Sequence, residues 1–281
     1  MAYSGDFIHL LARWARDGIL PRPASRVVEI GSQMINAGTE QEAVTELIRA
    51  YRQDFSGDLQ VPHYANEMWR AAELDYFSYD ITEAPDSRVF DLNFASVPER
   101  DFACADIVTN IGTTEHLINQ YNAFKVIHDL MKVGGVAIHY LPFTGMLNHC
   151  LFSYHPKFFY SLIVNNRYRL RHIEYSGPAL HASLGEGNTV FEGDRLKTDS
   201  RLPGSEKWAK IDLFSGMIII IIERMHPDEF VPPVDFAGGY FGETTGFDLG
   251  NLVGKDIPPH GAWADAFRRK VTPSQVPSFT C

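Results

Sequence analysis

The chain has 281 residues, of which 45% are hydrophobic and 21% charged, and its formal net charge is −10 at pH 7. This length is enough for a well-buried globular domain, while the negative charge argues against a nucleic-acid partner, because phosphate binding requires a basic surface. The three cysteines, Cys104, Cys150 and Cys281, are few and odd in number, which favours a reducing compartment over a disulfide framework.

The N-terminal segment and the hydropathy predict a soluble, cytoplasmic protein without a membrane partner. Asp6, His9, Arg13 and Arg16 interrupt the first residues, which therefore lack the apolar block of a signal peptide. The most apolar run, 217–222, is far too short to cross a bilayer.

Apolar periodicity predicts that helices and strands alternate over the first half of the chain. Thr39 and Glu42 form a capping box that would open the second helix. The predicted elements are a helix at 5–17, a strand at 26–30, a helix at about 40–53, a helical stretch around 65–72, strands at 76–80 and 104–110, a helix ended by Gly134-Gly135, and a strand at 136–141. This alternation indicates a parallel sheet covered by helices on both faces.

The pattern changes in the C-terminal part of the chain. Two further strands are predicted, at 172–175 and 213–223, and the uniform β-branched run 218–222 indicates a strand inside the sheet. We therefore expect an α/β fold, with a doubly wound, mostly parallel seven-stranded sheet that ends in a β-hairpin. One domain would span 1–225, and the Pro- and Gly-rich segment 226–281 would pack on it as an extension.

Two of the predicted strands end in residues suited to a nucleotide. The strand 26–30 leads into Gly31, where the backbone can pass close to a bound ligand. The strand 76–80 ends in Asp80, whose carboxylate can accept both hydroxyls of a ribose. Together these strand ends indicate a cofactor built on adenosine.

Three segments resemble the class I S-adenosylmethionine-dependent methyltransferases. They are Val-Val-Glu-Ile-Gly-Ser at 27–32, Tyr-Phe-Ser-Tyr-Asp at 76–80, and Asp-Ile-Val-Thr-Asn at 106–110 with the following helix and Gly134-Gly135-Val-Ala-Ile-His. In that family the first segment is usually Glu/Asp-x-Gly-x-Gly-x-Gly. Here Gln33 and Ile35 stand where the second and third glycines are expected.

The resemblance implies a Rossmann-like fold, S-adenosylmethionine as cofactor, and methyl transfer to an oxygen or nitrogen of a small molecule of the sugar or secondary-metabolite type. The cofactor-binding residues that it implies are Glu29, Gly31 and Ser32 at the methionine end, Asp80 at the ribose, Asp91 and Leu92 at the adenine, and Asn110, Ile111 and Gly112 at the pocket floor. The alternative is that the three acids are ordinary capping, strand-end or turn residues.

The segment Gly112-Thr-Thr-Glu115-His116 follows the strand 104–110 directly and opens the next helix. Open α/β sheets bind ligands at this edge, so Glu115 is expected to reach the substrate and His116 to take part in catalysis. The alternative is that Thr113 or Thr114 caps the helix and Glu115 complements its dipole.

Histidines are dense in the middle of the chain. His139, near the end of the strand 136–141, is the first candidate for a base, and His149 in the following loop is the next. His128 lies on an apolar helix stripe and is expected in the core. A metal site of His139, His149 and His155 lacks a short His-x-x-x-His spacing, so we expect no metal.

Phe152 and Tyr154 precede the next helix and are expected, with Glu115, to contact the acceptor substrate. Two other functions remain open. A nicotinamide-dependent oxidoreductase would share the first strand and turn, although no Gly-x-Gly-x-x-Gly follows that strand. A methyltransferase-like binding protein without catalysis is suggested by Gln33 and Ile35. The identity of the acceptor and the oligomeric state are also open.

Overall fold

The computed structural model describes residues 2–57, 59–144, 146, 149–176, 216–233 and 253–256. The α-helices are α1 Gly5–Arg16, α2 Gln41–Tyr51, α3 Ala65–Ala71, α4 Gln120–Leu130 and α5 Pro156–Asn166. The strands are β1 Ala2–Tyr3, β2 Arg26–Ile30, β3 Met34–Ile35, β4 Asp75–Asp80, β5 Ser87–Val89, β6 Ala105–Ile111, β7 Met131–Thr144, β8 Arg169–Ser176 and β9 Gly216–Glu223. Two short 3₁₀ helices span Glu99–Asp101 and Thr114–His116.

Seven of these strands form one sheet in the order β5-β4-β2-β6-β7-β9-β8. Neighbours from β5 to β7 are parallel, whereas β9 runs antiparallel to both β7 and β8. The chain moves from β2 to one edge of the sheet and then returns to build the other side, so the sheet is doubly wound. The predicted seven-stranded, mostly parallel sheet with a C-terminal antiparallel hairpin is confirmed.

Hydrophobic clusters cover both faces of the sheet, as a parallel sheet requires. Within β2, Val27 packs with the cluster that contains α1, α2 and α3, while Val28 packs with the cluster that contains α4 and α5. The isoleucines at 218–222 are 0–1% exposed, since β9 lies between two other strands and both its faces are covered. His128 is buried on α4, as expected, and its Nδ1 lies 2.5 Å from the Tyr168 hydroxyl.

Several local expectations differ from the structure. The helix α4 ends at Leu130, so Gly134-Gly135 do not end it but lie within β7. The helix α2 begins at Gln41 with Glu40 at its N-cap, and no side chain caps it, so the expected capping box is not formed. The strand β7 continues past Pro142, because its pairing with β6 ends at Tyr140 and the missing amide is not needed there. The strand β5 was not expected from the sequence, since its three residues are too few to show alternation.

The described part of the C-terminal extension packs on the sheet domain. Phe230 is buried in the core, and the side chain of Asn166 exchanges hydrogen bonds of 2.8 Å with the Val231 amide and carbonyl. Most of the segment 226–281, and the linker 177–215 between β8 and β9, lie outside the described residues. The domain boundary at 225 therefore stays a prediction. In the described ranges, no helix combines the length and apolarity needed to cross a membrane.

Candidate functional site

A cleft of about 250 Å³ opens where β2, β4, β5 and β6 end. This is the edge, and the reversal of strand order, at which open α/β sheets bind ligands. The volume lies just below the roughly 300–1,000 Å³ of typical small-molecule sites, so the cleft suits part of a larger ligand. Its lining residues are Gly31, Ser32, Gln33, Tyr79, Asp80, Ile81, Phe90, Asp91, Leu92, Gly112, Thr113, His116 and Leu117.

Gly31 forms the turn after β2, and this position requires glycine for two reasons. Its φ is +77°, a left-handed conformation that side chains disfavour. A Cβ at this position would lie 2.4 Å from the Thr113 Oγ1. That hydroxyl donates to the Ile30 carbonyl at 2.7 Å, so the turns after β2 and β6 are locked together beside the cleft.

Asp80 lines the cleft, but groups of the neighbouring loops already donate hydrogen bonds to most of the acceptor sites of its carboxylate. Oδ2 accepts from the Ser32 amide at 2.7 Å, and Oδ1 accepts from the amide and hydroxyl of Thr82, both at 2.8 Å. A carboxylate offers about four acceptor sites, so one remains on Oδ2. We therefore expect Asp80 to accept one ribose hydroxyl without losing a present partner, rather than the two suggested by the sequence.

Asp91 and an aromatic pair also line the cleft, beside Asp80. The Asp91 Oδ1 accepts from the Asn93 amide at 2.8 Å in a tight turn. Tyr79 and Phe90 stack with their ring centroids 4.1 Å apart. The Tyr79 hydroxyl donates to Asp101 at 2.7 Å, which holds the stacked pair in place. An apolar wall beside a carboxylate can take a flat heterocycle with polar edges.

Glu29 does not line the cleft but lies beneath the Gly31 turn, fully buried. Its carboxylate accepts from the hydroxyls of Tyr3 at 2.7 Å and Tyr76 at 2.6 Å, from the Gln33 amide at 2.8 Å, and from the Thr109 hydroxyl at 3.3 Å. Burial raises the pKa of Glu29 to about 7, although these donors favour the charged form. With its oxygens occupied in this way, Glu29 shapes the turn and leaves no room for a ligand.

The loop that lacks the expected glycines has a structure of its own. Met34 and Ile35 form β3, which pairs in parallel with the N-terminal strand β1. The Gln33 amide is held by Glu29, and its side chain donates to the Gly31 carbonyl at 3.2 Å. The chain therefore runs through a small second sheet before α2, instead of entering a helix directly after the turn.

Two further predicted cofactor residues, Asn110 and Ile111, also lie away from the cleft lining. Asn110 is fully buried, and its side-chain amide lies 2.9 Å from the Thr114 hydroxyl and 3.1 Å from His139 Nδ1. Ile111 packs in the core on the α1 face of the sheet. Because successive side chains of a strand point to opposite faces, a strand-end position alone does not direct a side chain to the edge.

His139, expected as the first candidate base, is also placed in the core. Its side chain is fully buried near the rings of Phe124 and Phe159, with centroid distances of 5.4 and 5.5 Å. Burial lowers the pKa of His139 to about 3, so the ring is neutral at physiological pH. This position does not bring the imidazole to the cleft, and a packing role fits it better than proton transfer.

The expected acceptor contacts Phe152 and Tyr154 likewise do not line the cleft. The Tyr154 hydroxyl donates to the Gln120 Oε1 at 2.6 Å and lies 3.0 Å from the Thr114 hydroxyl. Phe152 is partly buried against the same core. A larger cleft of about 610 Å³ lies between α4, α5 and residues 230–233, and most of its exposed surface is apolar. The strand-end cleft gathers the predicted acids and turn glycines and is therefore the candidate site.

The 3₁₀ turn after β6 brings Glu115 and His116 against the loop that follows β7. The Glu115 carbonyl accepts from the amides of Leu151 and Phe152 at 3.0 and 3.1 Å, which fixes that loop on the turn. As a result, the rings of His116 and His149 lie 5.1 Å apart. Two of the three predicted catalytic histidines are thus brought together, and His116 also lines the cleft.

The carboxylate of Glu115 differs from the other buried groups of this region. It is fully buried, 3.9 Å from His116 Nε2, and neither of its oxygens has a hydrogen-bond partner within the described ranges. Burial raises the pKa of Glu115 to about 7 and lowers that of His116 below its ordinary value. This arrangement leaves acceptor atoms free beside two imidazoles.

Six cleft residues were not expected from the sequence. Each of the six directly precedes or follows a predicted site residue in the chain, so adjacency is the signal that could have found them. The six are Gln33, Tyr79, Ile81, Phe90, Thr113 and Leu117.

Comparisons with known proteins found no matching family model and no matching curated protein. Solved structures do resemble the chain. A SAM-dependent methyltransferase from Archaeoglobus fulgidus is 14% identical over 76% of this chain and 92% of that chain, with a TM-score of 0.38. A 1,6-didemethyltoxoflavin-N1-methyltransferase from Burkholderia thailandensis is 9% identical over 78% of each chain, with a TM-score of 0.40. A geranyl diphosphate C-methyltransferase from Streptomyces coelicolor is 14% identical over 76% of this chain and 77% of that chain, with a TM-score of 0.37. The fold of this chain rests on its own strand order rather than on these likenesses.

Proposed function

We propose that this chain is an S-adenosylmethionine-dependent methyltransferase that transfers a methyl group to an oxygen or nitrogen of a small molecule. The observation that carries the proposal is the cleft at the strand ends, which gathers Gly31, Asp80, Asp91 and Gly112 at the point where the strand order reverses. These are four of the residues that the sequence resemblance implies for cofactor binding.

The cleft fits the nucleoside half of this cofactor. Asp80 keeps one acceptor site for a ribose hydroxyl, and Asp91 presents a carboxylate beside the apolar side chains of Phe90, Leu92 and Leu117. The cofactor would supply a methyl group on a positively charged sulfur. The chain would bind the nucleoside, exclude water from it and orient the acceptor near His116. Methyl transfer needs alignment of the reacting atoms, so no base is required for it.

The nicotinamide-dependent alternative fits these residues less well. Dinucleotide-binding sheets have six parallel strands and a Gly-x-Gly-x-x-Gly turn over the pyrophosphate. In this chain β9 is antiparallel, and the position of the second glycine is taken by Gln33, which is 3% exposed and bonded within the turn. The Gln33 amide donates to Glu29 and is therefore not available to a pyrophosphate.

Isothermal titration of the full chain with S-adenosylhomocysteine tests the proposal, with NAD⁺ as the comparison ligand. We expect saturable binding of the first and none of the second. Asp80→Asn should weaken binding about 10-fold or more, because a charge-assisted hydrogen bond is lost. Asp54→Asn, at a side chain that is 83% exposed, is the matched control and should leave the affinity unchanged.

Wild-type protein that gives no saturable heat with S-adenosylhomocysteine would refute the proposal. Equal affinity of Asp80→Asn and wild type would remove Asp80 from the site. Binding without turnover on a panel of hydroxyl and amine acceptors would instead favour the non-catalytic binding protein.

A further inference from the structure

We infer that Glu115, His116 and His149 form a binding site for a divalent transition-metal ion such as Zn²⁺. Each of the three offers one ligand atom, and these atoms all lie within 4.8 Å of one another. The sequence analysis expected no metal, because the set of histidines that it weighed, His139, His149 and His155, lacks a short His-x-x-x-His spacing.

The first step of the inference is the state of Glu115. Its side chain is 0% exposed, and both carboxylate oxygens are buried without a partner among the residues that the structure covers. Buried carboxylates in proteins are normally hydrogen-bonded, ion-paired or bound to a metal. His116 lies close to this carboxylate, with its Nε2 3.9 Å from Glu115 Oε1. A cation bound between these groups would give the Glu115 oxygens a partner.

The second step is the geometry of the two histidines. The side chain of His116 is 42% exposed, and His149 is also exposed, so solvent and ions can reach both rings. Ligand atoms that share one ion at about 2.0–2.1 Å lie at most about 4.2 Å apart. The Glu115–His116 separation already meets this limit. A small rotation of the exposed His149 ring would bring the third ligand atom within it.

The third step is the choice of ion. Two imidazole nitrogens and one carboxylate oxygen suit Zn²⁺ and related first-row metals, whereas Mg²⁺ and Ca²⁺ prefer all-oxygen sites. Three protein ligands leave at least one coordination position for water or another oxygen ligand. Because His116 also lines the strand-end cleft, the ion would lie beside that cleft. On the proposed function, the open position would accept an oxygen of the acceptor substrate.

Metal titration of the full chain tests the site. The protein is stripped with EDTA, exchanged into metal-free buffer and titrated with ZnCl₂ by calorimetry. The absorption of a Co²⁺ complex reports the ligand field. We expect one tight site per chain, and Mg²⁺ binding that is about 100-fold weaker. His116→Ala, His149→Ala and Glu115→Gln should each weaken Zn²⁺ binding about 10- to 100-fold or more, and the Co²⁺ spectrum should lose intensity.

His63→Ala is the matched control, since His63 is exposed and lies outside the cluster. It should bind Zn²⁺ as the wild type does. Circular dichroism checks that the variants are folded, and the two exposed histidine variants keep the test decisive if Glu115→Gln does not fold. Wild-type affinity in both histidine variants, or equal affinity for Mg²⁺ and Zn²⁺, would overturn the inference. The metal titration contains no S-adenosyl compound, so its outcome does not depend on whether the proposed methyltransferase function is correct.

Discussion

Glu29 and Glu115 are both fully buried, and burial raises the pKa of each to about 7, but their partners are opposite. Glu29 accepts hydrogen bonds from three side-chain hydroxyls and one amide, whereas the carboxylate oxygens of Glu115 accept none from any other residue within the described structure. The same residue type at the same depth therefore has two roles. Glu29 holds the turn beside the cleft, and Glu115 is left with acceptor atoms for an external cation. The partners of a buried acid, and not its burial, identify it as a candidate ligand.

The largest effect is expected for Glu29→Ala. The substitution leaves the buried hydroxyls of Tyr3 and Tyr76 and the Gln33 amide without their acceptor, and each unsatisfied group costs about 1–3 kcal/mol. Allowing for relaxation, we expect a loss of about 3–4 kcal/mol in the free energy of unfolding, measured by urea denaturation. The exposed Glu83→Ala is the control. A loss of under about 1 kcal/mol would mean that the four bonds do not stabilise the turn.

The pH dependence of stability gives the next largest effect. The pKa of Glu29 is raised from 4.5 to about 7, so between these values the folded protein keeps a proton that the unfolded chain has released. The contribution of this group to stability therefore falls as pH rises through this window, by roughly 3 kcal/mol in total. We expect the free energy of unfolding of the wild type, relative to Glu29→Gln, to fall between pH 4.5 and 7.5. A flat difference would show that the donors keep Glu29 ionised throughout.

Gly31→Ala tests the turn that lies between the segments carrying the two buried acids. Gly31 is two residues after Glu29, and a Cβ at this position would contact Thr113, which is two residues before Glu115. The left-handed backbone costs about 1–2 kcal/mol with alanine, and the Thr113 contact adds to this. We expect a loss of roughly 2–3 kcal/mol in thermal or urea unfolding, with weaker S-adenosylhomocysteine binding.

The double variant Gly31→Ala/Thr113→Ala separates the two causes. Removing the Thr113 hydroxyl and methyl relieves the 2.4 and 2.9 Å contacts but leaves the φ of +77°. Partial recovery of stability is expected. Because Thr113→Ala also removes the hydrogen bond to the Ile30 carbonyl, the double variant is compared with the Thr113→Ala single variant. Equal stability of these two would show that backbone strain at Gly31 is negligible, and a difference as large as that between Gly31→Ala and wild type would show that the contact is negligible.

The contrast between Glu29 and Glu115 also shows which parts of the fold and of the candidate site could be predicted from the sequence. Strand and helix periods and the strand-end glycine and acid were sufficient for the sheet and for Gly31 and Asp80 in the cleft, because parallel strands end at one edge. Asp91 was expected from the family resemblance alone, since the strand β5 before it was not predicted. The sequence patterns could not give the direction in which Glu29 or His139 points, since neighbouring positions of a strand face opposite sides of the sheet. These two were expected at the site and lie in the interior.

The proximity of His116 to His149 could not be predicted, for a different reason. The loop that carries His149 is held against the turn that carries His116 by backbone hydrogen bonds from the amides of Leu151 and Phe152 to the Glu115 carbonyl. Backbone bonds of this kind leave no side-chain pattern in the sequence. Their result, two imidazoles beside an unpartnered carboxylate, is visible only after folding.

The smallest effect on stability is expected for Glu115→Gln in EDTA. The sign of the change in the free energy of unfolding distinguishes Glu115 from Glu29. Glutamine keeps the shape of the side chain and removes a buried charge that has no partner, so stability should change by no more than about 1 kcal/mol, toward stabilisation. Added Zn²⁺ should stabilise the wild type by about 2.7 kcal/mol at 100 times its dissociation constant, and leave Glu115→Gln largely unaffected. Urea denaturation with and without Zn²⁺ measures both. A loss of several kcal/mol in EDTA, as expected for Glu29→Ala, would show that Glu115 already has partners and would end the distinction between the two acids.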